Sequence, residues 1–376
     1  MTPRRSPNLA IALLPVLLVA GCGEAAPPPE PPLAPEALAA VTENPGTERE
    51  KLARAIDNLF TAEGIGETRA ALVVHGGEIV AERYGEGYGA QTPFVGWSMS
   101  KTVTALLIGA LVSEGRLELD SSPPIPAWQR AGDPRGAITL RHLLQMRSGL
   151  RHQEMADPVY SSPEVRMMFL DGRDDMAAWA EAQPLEHEAG AMHQYSTATS
   201  TILADIAARV LAPQGSAEER RRAMADFLAS RLSGPLRAPS FFAEFDAAGT
   251  MMGGSMIWAT ARDWAKLGEM LRHKGSVDGT QLVPRSWVEF MTSPSPRAPD
   301  YGAHIWLNRD SGEERVVLYP EQGPGSAFAL VGHLGQYVIV SPAQKLTIVR
   351  LGKTDNADRQ ALVDEIAKIA ALYPAM

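Results

Sequence analysis

Cysteine is almost absent from this chain, which has one, Cys22, in 376 residues. A single cysteine excludes an internal disulfide and leaves neither cysteine-based catalysis nor a zinc–thiolate cluster to be expected. The sequence also lacks a Gly-x-Ser-x-Gly nucleophile elbow, a Gly-x-x-x-x-Gly-Lys-Ser/Thr phosphate loop and a dinucleotide fingerprint. These absences argue against an α/β-hydrolase and against a nucleotide cofactor. Any chemistry is therefore expected from oxygen and nitrogen side chains, with no cofactor and no metal.

Positive charge is in the minority, because 35 Lys and Arg stand against 44 Asp and Glu and the net charge is −9. A chain of this sign does not attract phosphate, so nucleic acid is not an expected partner. A hydrophobic fraction of 45% excludes wholesale disorder. The length suits one large domain, which we expect to be a monomer.

An apolar run over residues 9–20 follows two arginines and is too short to span a bilayer as a helix. It suits the apolar part of an export signal, which we predict over residues 1–21. The run ends in Val19-Ala20-Gly21-Cys22, which resembles the cleavage box of bacterial lipoproteins, where the cysteine is lipidated. We therefore expect an exported bacterial lipoprotein, anchored through Cys22 to a membrane on its periplasmic or extracellular side. A plain secretory signal with an incidental cysteine is the alternative.

The residues after Cys22 are rich in proline, which forms neither helices nor strand ladders and favours extended chain. We predict a stiff tether over residues 22–47 and a folded body over residues 48–376. Apolar spacing in the body predicts helices, strands and a mostly helical subdomain over about residues 115–250. The predicted helices are 48–60, 98–112 and 355–372, and the predicted strands are 70–75, 78–84, 303–308, 335–340 and 346–351. Strands at both ends around a helical middle predict an α+β fold, with one antiparallel sheet built from both ends and flanked by helices.

The first catalytic candidate is Ser98-Met99-Ser100-Lys101, at the start of an apolar helix. Residues three apart share a helical face, so the Ser98 hydroxyl and the Lys101 amine can approach each other. A serine hydroxyl is a poor nucleophile until a base takes its proton, and burial lowers the pKa of a lysine enough to make it that base. A solvated lysine at a helix start is the alternative, and the apolar turns that follow argue against it.

Two further candidates are Tyr195, in a mid-chain loop, and His333, which precedes Gly335 at a late strand. Each has an ordinary explanation on its own. A lone tyrosine is usually a packing residue, and a glycine beside a strand can simply permit a bulge or a close approach. Their interest lies in their order along the chain.

Ser-x-x-Lys at a helix start, a mid-chain Tyr loop and a late His-x-Gly together resemble the serine β-lactamase and penicillin-binding-protein superfamily. The nearer resemblance is to its class C β-lactamase-related branch, which includes esterases, D-amino-acid peptidases and 6-aminohexanoate-dimer hydrolases. Residues 142–150 and 253–268 also look like that branch, and the likeness runs from about residue 50 to the end. It implies a β-lactamase/transpeptidase-like fold.

The resemblance also implies a role for each candidate. Ser98 would be the acylated nucleophile, with Lys101 and Tyr195 as the general base and acid. The oxyanion hole would consist of the backbone N–H groups of Ser98 and Gln336. Four residues would contact the substrate: Thr197, His333, Gly335 and Trp306.

Two positions depart from class C β-lactamases, which have Asn where Thr197 stands and Lys where His333 stands. A mostly neutral imidazole attracts a β-lactam carboxylate less than an ammonium does. Both departures favour an esterase or oligoamide hydrolase. We therefore expect hydrolysis of a small or oligomeric ester or amide through an acyl-enzyme. A β-lactamase or D-amino-acid peptidase acting on cell-wall-type substrates is the alternative.

Two other interpretations remain. His187, Glu188 and His193 are ligand-type side chains close together, but their spacing fits no helical zinc pair, so a polar loop explains them better. A tethered binding or sensing module could keep the fold without turnover. The intact set of Ser98, Lys101 and Tyr195 argues against it.

Overall fold

A six-stranded antiparallel sheet lies at the centre of the computed structural model, which describes residues 32–312 and 315–375. In spatial order its strands are β2 (Glu78–Tyr84), β1 (Glu67–His75), β11 (Leu346–Lys353), β10 (Gln336–Ser341), β9 (Phe328–Gly332) and β8 (Trp306–Leu307). The first two strands come from the beginning of the chain and pair with the last one, β11. The predicted α+β fold, with a sheet built from both chain ends, is confirmed.

The β1–β2 hairpin turns at Gly76 and Gly77, whose φ angles are 62° and 96°. Consecutive positive φ values match the twist of a two-residue hairpin, and glycine adopts them without steric penalty. Alternation along β1 then sends Ala71 and Val73 to one face of the sheet and Leu72 to the other. The sheet is thus buried on both sides.

Helices cover each face. The helices are α1 (Pro35–Ala39), α2 (Arg49–Thr61), α3 (Ser100–Ser113), α4 (Leu140–Leu144), α5 (Pro163–Phe169), α6 (Met176–Glu181), α7 (Thr197–Leu211), α8 (Ala217–Leu228), α9 (Ala261–Arg272), α10 (Arg285–Met291) and α11 (Arg359–Ala371). The helices α2 and α11 pack together on one face, and α9 packs on the other with α3 and α7 beyond it. In the described chain, helices and loops fill the interval between α3 and residue 241.

Two smaller sheets complete the body. One consists of β3 (Pro93–Val95), β5 (Ile257–Thr260) and β4 (Phe242–Ala243), and the other is the hairpin of β6 (Ser276–Val277) and β7 (Thr280–Gln281). The strand β3 leads directly into the turn that carries Ser98. Pairing of β3 with β5 therefore fixes the start of α3.

The predicted tether is wrong from residue 33 onward, because residues 33–47 pack on the body. Val41 is 2% exposed and pairs with Ala81 of β2, and the Arg49 side chain donates hydrogen bonds to the carbonyls of Leu38 and Val41. The residues from Leu33 onward form one compact unit. The predicted signal at 1–21, Cys22 and the tether up to residue 31 lie outside the described residues. Within the described ranges, no helix has the length and apolar character needed to cross a membrane.

Three local predictions also need correction. The strand predicted at 303–308 shrinks to Trp306–Leu307, because His304 has a φ of 60° and interrupts extended backbone. Residues 333–335 form the turn between β9 and β10, so His333 is not on a strand. The last helix begins at Arg359, after a short 3₁₀ turn.

Candidate active site

Ser98 sits in a 3₁₀ turn, Trp97–Met99, that leads into α3. The residue before it, Trp97, has a φ of 46°, which is rare for an aromatic side chain. The hydroxyl of Ser100 accepts a hydrogen bond from the Ile257 backbone N–H at 3.0 Å and ties the first turn of α3 to β5. The serine is therefore held on a constrained corner between a strand and a buried helix.

Lys101 lies one turn further along and is 1% exposed. Its Nζ is 2.9 Å from each of three oxygens, namely Ser98 Oγ, Thr197 Oγ1 and the carbonyl oxygen of Gly254. The predicted approach of Ser98 and Lys101 is present in the structure. All three positions around the nitrogen are occupied by oxygen partners.

The Tyr195 ring forms a wall beside this pair. The Lys101 Nζ is 4.8 Å from the centre of the ring, which is close enough for a cation–π interaction. The rings of Tyr301 and Trp306 pack against Tyr195 with centroid distances of 5.8 and 5.4 Å. Burial raises the pKa of Tyr195, while Lys101 acts in the opposite direction. The structure thus brings Ser98, Lys101 and Tyr195 together, with Trp306 behind the tyrosine.

Two glutamates that the sequence did not single out complete the buried side of the cluster. Glu154 accepts the Thr197 backbone N–H through Oε2 at 2.7 Å and the Thr197 hydroxyl through Oε1 at 2.6 Å. Glu164 Oε1 is 3.1 Å from the same hydroxyl. Burial, and then the charge of Glu154, raise the pKa of Glu164 to about 7. Two carboxyl groups therefore share one threonine beneath Lys101.

These carboxyl groups change the expected state of Lys101. Burial alone lowers the pKa of a lysine, and this was the basis for predicting a neutral base. Here electrostatic interactions with Tyr195, Glu154 and Glu164 outweigh burial and raise the pKa of Lys101. The shift is thus opposite to the one that burial alone predicts.

Gly254 also contributes to the site, through its carbonyl oxygen. The sequence predicted no role for it, although residues 253–268 carry part of the family resemblance. A Cβ on Gly254 would lie 2.8 Å from Thr197 Cγ2 and 3.0 Å from the Thr197 carbonyl oxygen. Only glycine allows this backbone to approach α7 closely enough to present its carbonyl to Lys101. The Gly-Gly pair at 253–254 was the available signal. The two glutamates gave none, because an acidic side chain is usually exposed, whether in a loop or at the start of a helix.

The oxyanion role predicted for Gln336 is wrong. Gln336 stands opposite Gly332 in the β9–β10 ladder, and its side chain binds the carbonyls of His333 and Gly352 at 3.0 and 2.7 Å. The Ala327 carbonyl faces Asn308, on the β8 side of β9. Successive residues of a strand direct their backbone N–H and C=O groups to opposite neighbours. The backbone groups of Gly332 therefore face β10, and the N–H of His333 faces the β8 side. A Cβ on Gly332 would lie 2.3 Å from the Gly96 carbonyl oxygen, so this end of β9 abuts the turn that holds Ser98.

The substrate contacts predicted at four residues divide into two groups. Thr197 is 1% exposed and Gly335 is turned toward Arg350 and α11, so direct substrate contact is wrong for both. His333 is exposed, and its ring meets the edge of Trp97 with centroids 5.3 Å apart. Partial burial, and then Arg359, lower the pKa of His333, which keeps the imidazole neutral at neutral pH. His333 and Trp306 remain candidates for contacting substrate.

Of the three side chains considered for metal binding, His187 and Glu188 are exposed and His193 packs into the structure. His193 Nδ1 lies 3.3 Å from the Gln145 carbonyl oxygen, and its ring packs on Tyr301 at 5.0 Å. Throughout residues 32–312 and 315–375, no group of three or more His, Cys, Asp or Glu side chains could hold a metal ion.

A serine and a buried lysine three residues apart, beside a tyrosine under the edge of an antiparallel sheet, define the class of active-site-serine proteins with a β-lactamase/transpeptidase-like fold. The chain belongs to the β-lactamase family, whose sequence model matches residues 56–371. This confirms the predicted superfamily, the fold class and the prediction of a hydrolase.

The chain is 28% identical over 313 residues to the protein Rv1367c of Mycobacterium tuberculosis, which covers 68% of this chain and 75% of that protein. It is 26% identical over 245 residues to a 6-aminohexanoate-dimer hydrolase of Paenarthrobacter ureafaciens, covering 61% and 58% of the two chains. The structure of a penicillin-binding protein homologue from Caulobacter crescentus has the same fold, with a TM-score of 0.62, 18% identity and coverage of 91% and 98%.

Proposed function

We propose that the protein hydrolyses an ester or amide bond through a covalent acyl-enzyme on Ser98. The observation that carries the proposal is the 2.9 Å contact between Ser98 Oγ and the buried Lys101 Nζ. A buried lysine held against a serine by two other fixed acceptors is costly to maintain without a function. A binding module without turnover needs no such arrangement.

In this proposal Ser98 Oγ attacks the substrate carbonyl carbon as its proton passes to the Lys101–Tyr195 pair. The pair then returns a proton to the departing alcohol or amine, which leaves an acyl group on Ser98. Water repeats the sequence and releases the acid. Lys101 and Tyr195 act as one unit, because each lies within the electrostatic reach of the other.

The negative oxygen that forms on the carbonyl needs fixed donors. We assign these to the backbone N–H groups of Ser98 and His333, the second in place of Gln336. Alternation along β9 directs the His333 N–H away from β10, and the neighbouring Gly332 lies against the Ser98 turn. Each such donor typically contributes about 3 kcal/mol to lowering the barrier.

The substrate class follows from the two departures noted above. Thr197 is buried beneath Lys101, so it offers no amide to grip an acylamino side chain. Partial burial lowers the pKa of His333, so its imidazole attracts an anion less than a fixed cation does. Short esters and amides are therefore favoured over β-lactams, and a relative named as a 6-aminohexanoate-dimer hydrolase supports the amide branch.

The test is covalent labelling. A fluorescent phosphonate that reacts with activated serines is expected to label the wild type, and peptide mapping is expected to place the adduct on Ser98. Ser98→Ala should abolish labelling. Ser100→Ala, which removes a hydroxyl that accepts the Ile257 N–H, should leave labelling largely intact. An adduct on another serine, or full turnover by Ser98→Ala, would contradict the mechanism. Hydrolysis of a chromogenic cephalosporin with a kcat/KM of about 10⁶ M⁻¹s⁻¹ would contradict the proposed preference for short esters and amides.

We also propose that the protein is an exported lipoprotein anchored through Cys22, on the strength of Val19-Ala20-Gly21-Cys22. Cys22→Ser is expected to move the protein from the membrane fraction to the soluble fraction or to block its processing. If the variant fractionates with membranes and has the mature mass of the wild type, the anchor is refuted.

A further inference from the structure

The resting site contains no evident base for Ser98. Lys101 is an ammonium whose Nζ meets three oxygens, and burial raises the pKa of Tyr195, which keeps the phenol protonated. An ammonium has three N–H donors and no lone pair. For Lys101 to accept the Ser98 proton, it must first pass a proton to another group.

The hydrogen-bond partners of Lys101 identify that group. A carbonyl oxygen can only accept, so the contact with Gly254 uses one N–H of the lysine. Thr197 Oγ1 points its own proton at the Glu154 carboxyl, 2.6 Å away, and so accepts the second N–H through a lone pair. The Thr197 hydroxyl is thereby the connection between the lysine and a carboxylate.

We propose that Glu154 and Glu164 are a proton store for Lys101, reached through the hydroxyl of Thr197. One Nζ proton moves to Thr197 Oγ1 as the hydroxyl proton moves to Glu154 Oε1, which leaves a neutral amine and a carboxylic acid. A rotation of about 120° around the Cε–Nζ bond turns the new lone pair toward Ser98. The amine then accepts the Ser98 proton as Oγ bonds to the substrate carbonyl carbon. This rests on the proposed function of Ser98.

Thr197, Glu154 and Glu164 act through Lys101 and are positioning residues in this scheme. The identity of residue 197 matters, because a hydroxyl can accept one proton and release another in the same step. An asparagine amide at that position would fix the lysine without readily relaying a proton. The departure from Tyr-x-Asn is thus explained by the two carboxyl groups beneath it.

The pair also has neighbours that bear on its titration. Other titratable groups face this cluster from the surrounding elements: Tyr195, Tyr301, His152, His304 and His333. Burial lowers the pKa of His152 to about 4 and that of His304 to about 3, so both are neutral above those values. Burial raises the pKa of both tyrosines. Near neutral pH Glu164 is the group of this cluster that changes charge.

The sign of the pH effect follows. Below about 7 the pair already holds a proton through Glu164, and its capacity to take a second one falls. The kcat/KM for acylation should therefore rise with pH through a limb near 7. Glu164→Gln removes the carboxyl group whose pKa lies near 7, so the limb should leave that region and move to lower pH by about one unit or more.

The experiment measures p-nitrophenol release from a short-chain p-nitrophenyl ester between about pH 5 and pH 9. Thr197→Val should lower kcat about 100-fold with KM nearly unchanged, and Thr197→Ser should restore most of the rate. The matched control is Thr201→Val, which removes a buried hydroxyl one turn along α7 that binds only the Thr197 carbonyl. Its kcat should stay within about twofold of the wild type. If Thr197→Val fails to fold, Glu154→Gln is expected to lose kcat in the same way.

Each failure can be told apart. A wild type that is neither labelled on Ser98 nor active overturns the proposed function, and with it the proton store. A labelled and active wild type whose kcat and pH limb are unchanged by Thr197→Val overturns the store alone. The store is also overturned if Glu164→Gln leaves the limb of the pH profile in place and only raises KM for esters that carry an amine. That result would mean that Glu154 and Glu164 bind a substrate cation instead.

Discussion

Trp97 places the nucleophile through a backbone conformation that its side chain disfavours. With a φ of 46°, it turns the chain from β3 into the Ser98 turn, and its ring rests against His333. A left-handed residue other than glycine costs about 1–2 kcal/mol. Strain of this kind persists where the surroundings fix the backbone, and such positions are common at active sites.

This predicts an inverted order of stability for two variants of Trp97. Both Trp97→Gly and Trp97→Ala lose the ring contact with His333, but glycine alone relieves the backbone. We expect Trp97→Gly to unfold at a higher denaturant concentration, with a free energy of unfolding about 1 kcal/mol above that of Trp97→Ala. Urea denaturation followed by circular dichroism measures the difference. An alanine variant that is equally or more stable would mean that the strain is absent.

At the residue scale, the sequence predicted the groups whose chemistry is local. Ser98 and Lys101 are three apart, so the start of a helix brings them together whatever the rest of the fold does. Glu154 and Glu164 reach Lys101 only because α5 and the loop before it lie against the first turn of α7. The oxyanion role was assigned to Gln336 rather than His333 because the sequence does not show which backbone N–H groups at the end of β9 point away from β10. That direction depends on the pairing of β9 with its neighbours and cannot be deduced from the His-Leu-Gly triplet.

At the scale of elements, α3 is held in the core by a contact that the sequence does not reveal. Gly109, in the middle of this helix, faces the indole of Trp287 from α10. A Cβ at Gly109 would lie 2.3 Å from Trp287 Nε1, which donates a hydrogen bond to the Ala105 carbonyl at 3.1 Å. The missing side chain is what allows α10 to seat against α3.

Gly109→Ala should therefore destabilise the protein. Alanine favours a helix interior by about 0.5–1 kcal/mol over glycine, but overpacking typically costs about 1–3 kcal/mol. We expect a net loss of about 1–2 kcal/mol in the free energy of unfolding. In a Trp287→Leu background the same change should become neutral or stabilising, because the indole is gone. A double-mutant cycle by chemical denaturation measures this coupling. Equal effects in both backgrounds would show that the contact does not constrain α3.

Element prediction succeeded where periodicity is strong and failed where a single backbone angle decides. The β1–β2 hairpin and α2 were predictable from apolar spacing and a Gly-Gly turn. The strand around Trp306 was overestimated because His304 adopts a left-handed conformation. Its imidazole bonds the Leu144 carbonyl and the Ser200 hydroxyl, both at 2.8 Å, so tertiary contacts override the local pattern.

At the scale of the whole molecule, both ends of the chain build one face of the body. The helices α2 and α11 pack together on the outer face of the sheet, and the side chain of Tyr373 bonds the Pro45 carbonyl at 3.1 Å. Thr42 donates its N–H to the Val80 carbonyl at 3.0 Å, which extends the edge of the sheet at β2. Proline-rich composition hid this attachment from the sequence, because a few buried residues, Ala37 and Val41, decide it.

Two shortened chains test where the body begins. A chain starting at Leu33 keeps Ala37 and Val41, which are 0% and 2% exposed, and should unfold like the wild type. A chain starting at Glu48 loses both side chains and uncovers the edge of β2. Burial of two such side chains stabilises by about 2 kcal/mol, so its Tm should fall by roughly 3 °C. Val41→Ser in the longer chain should reproduce part of that fall. If the two chains unfold at the same temperature, residues 33–47 do not stabilise the body, and the predicted tether up to residue 47 stands.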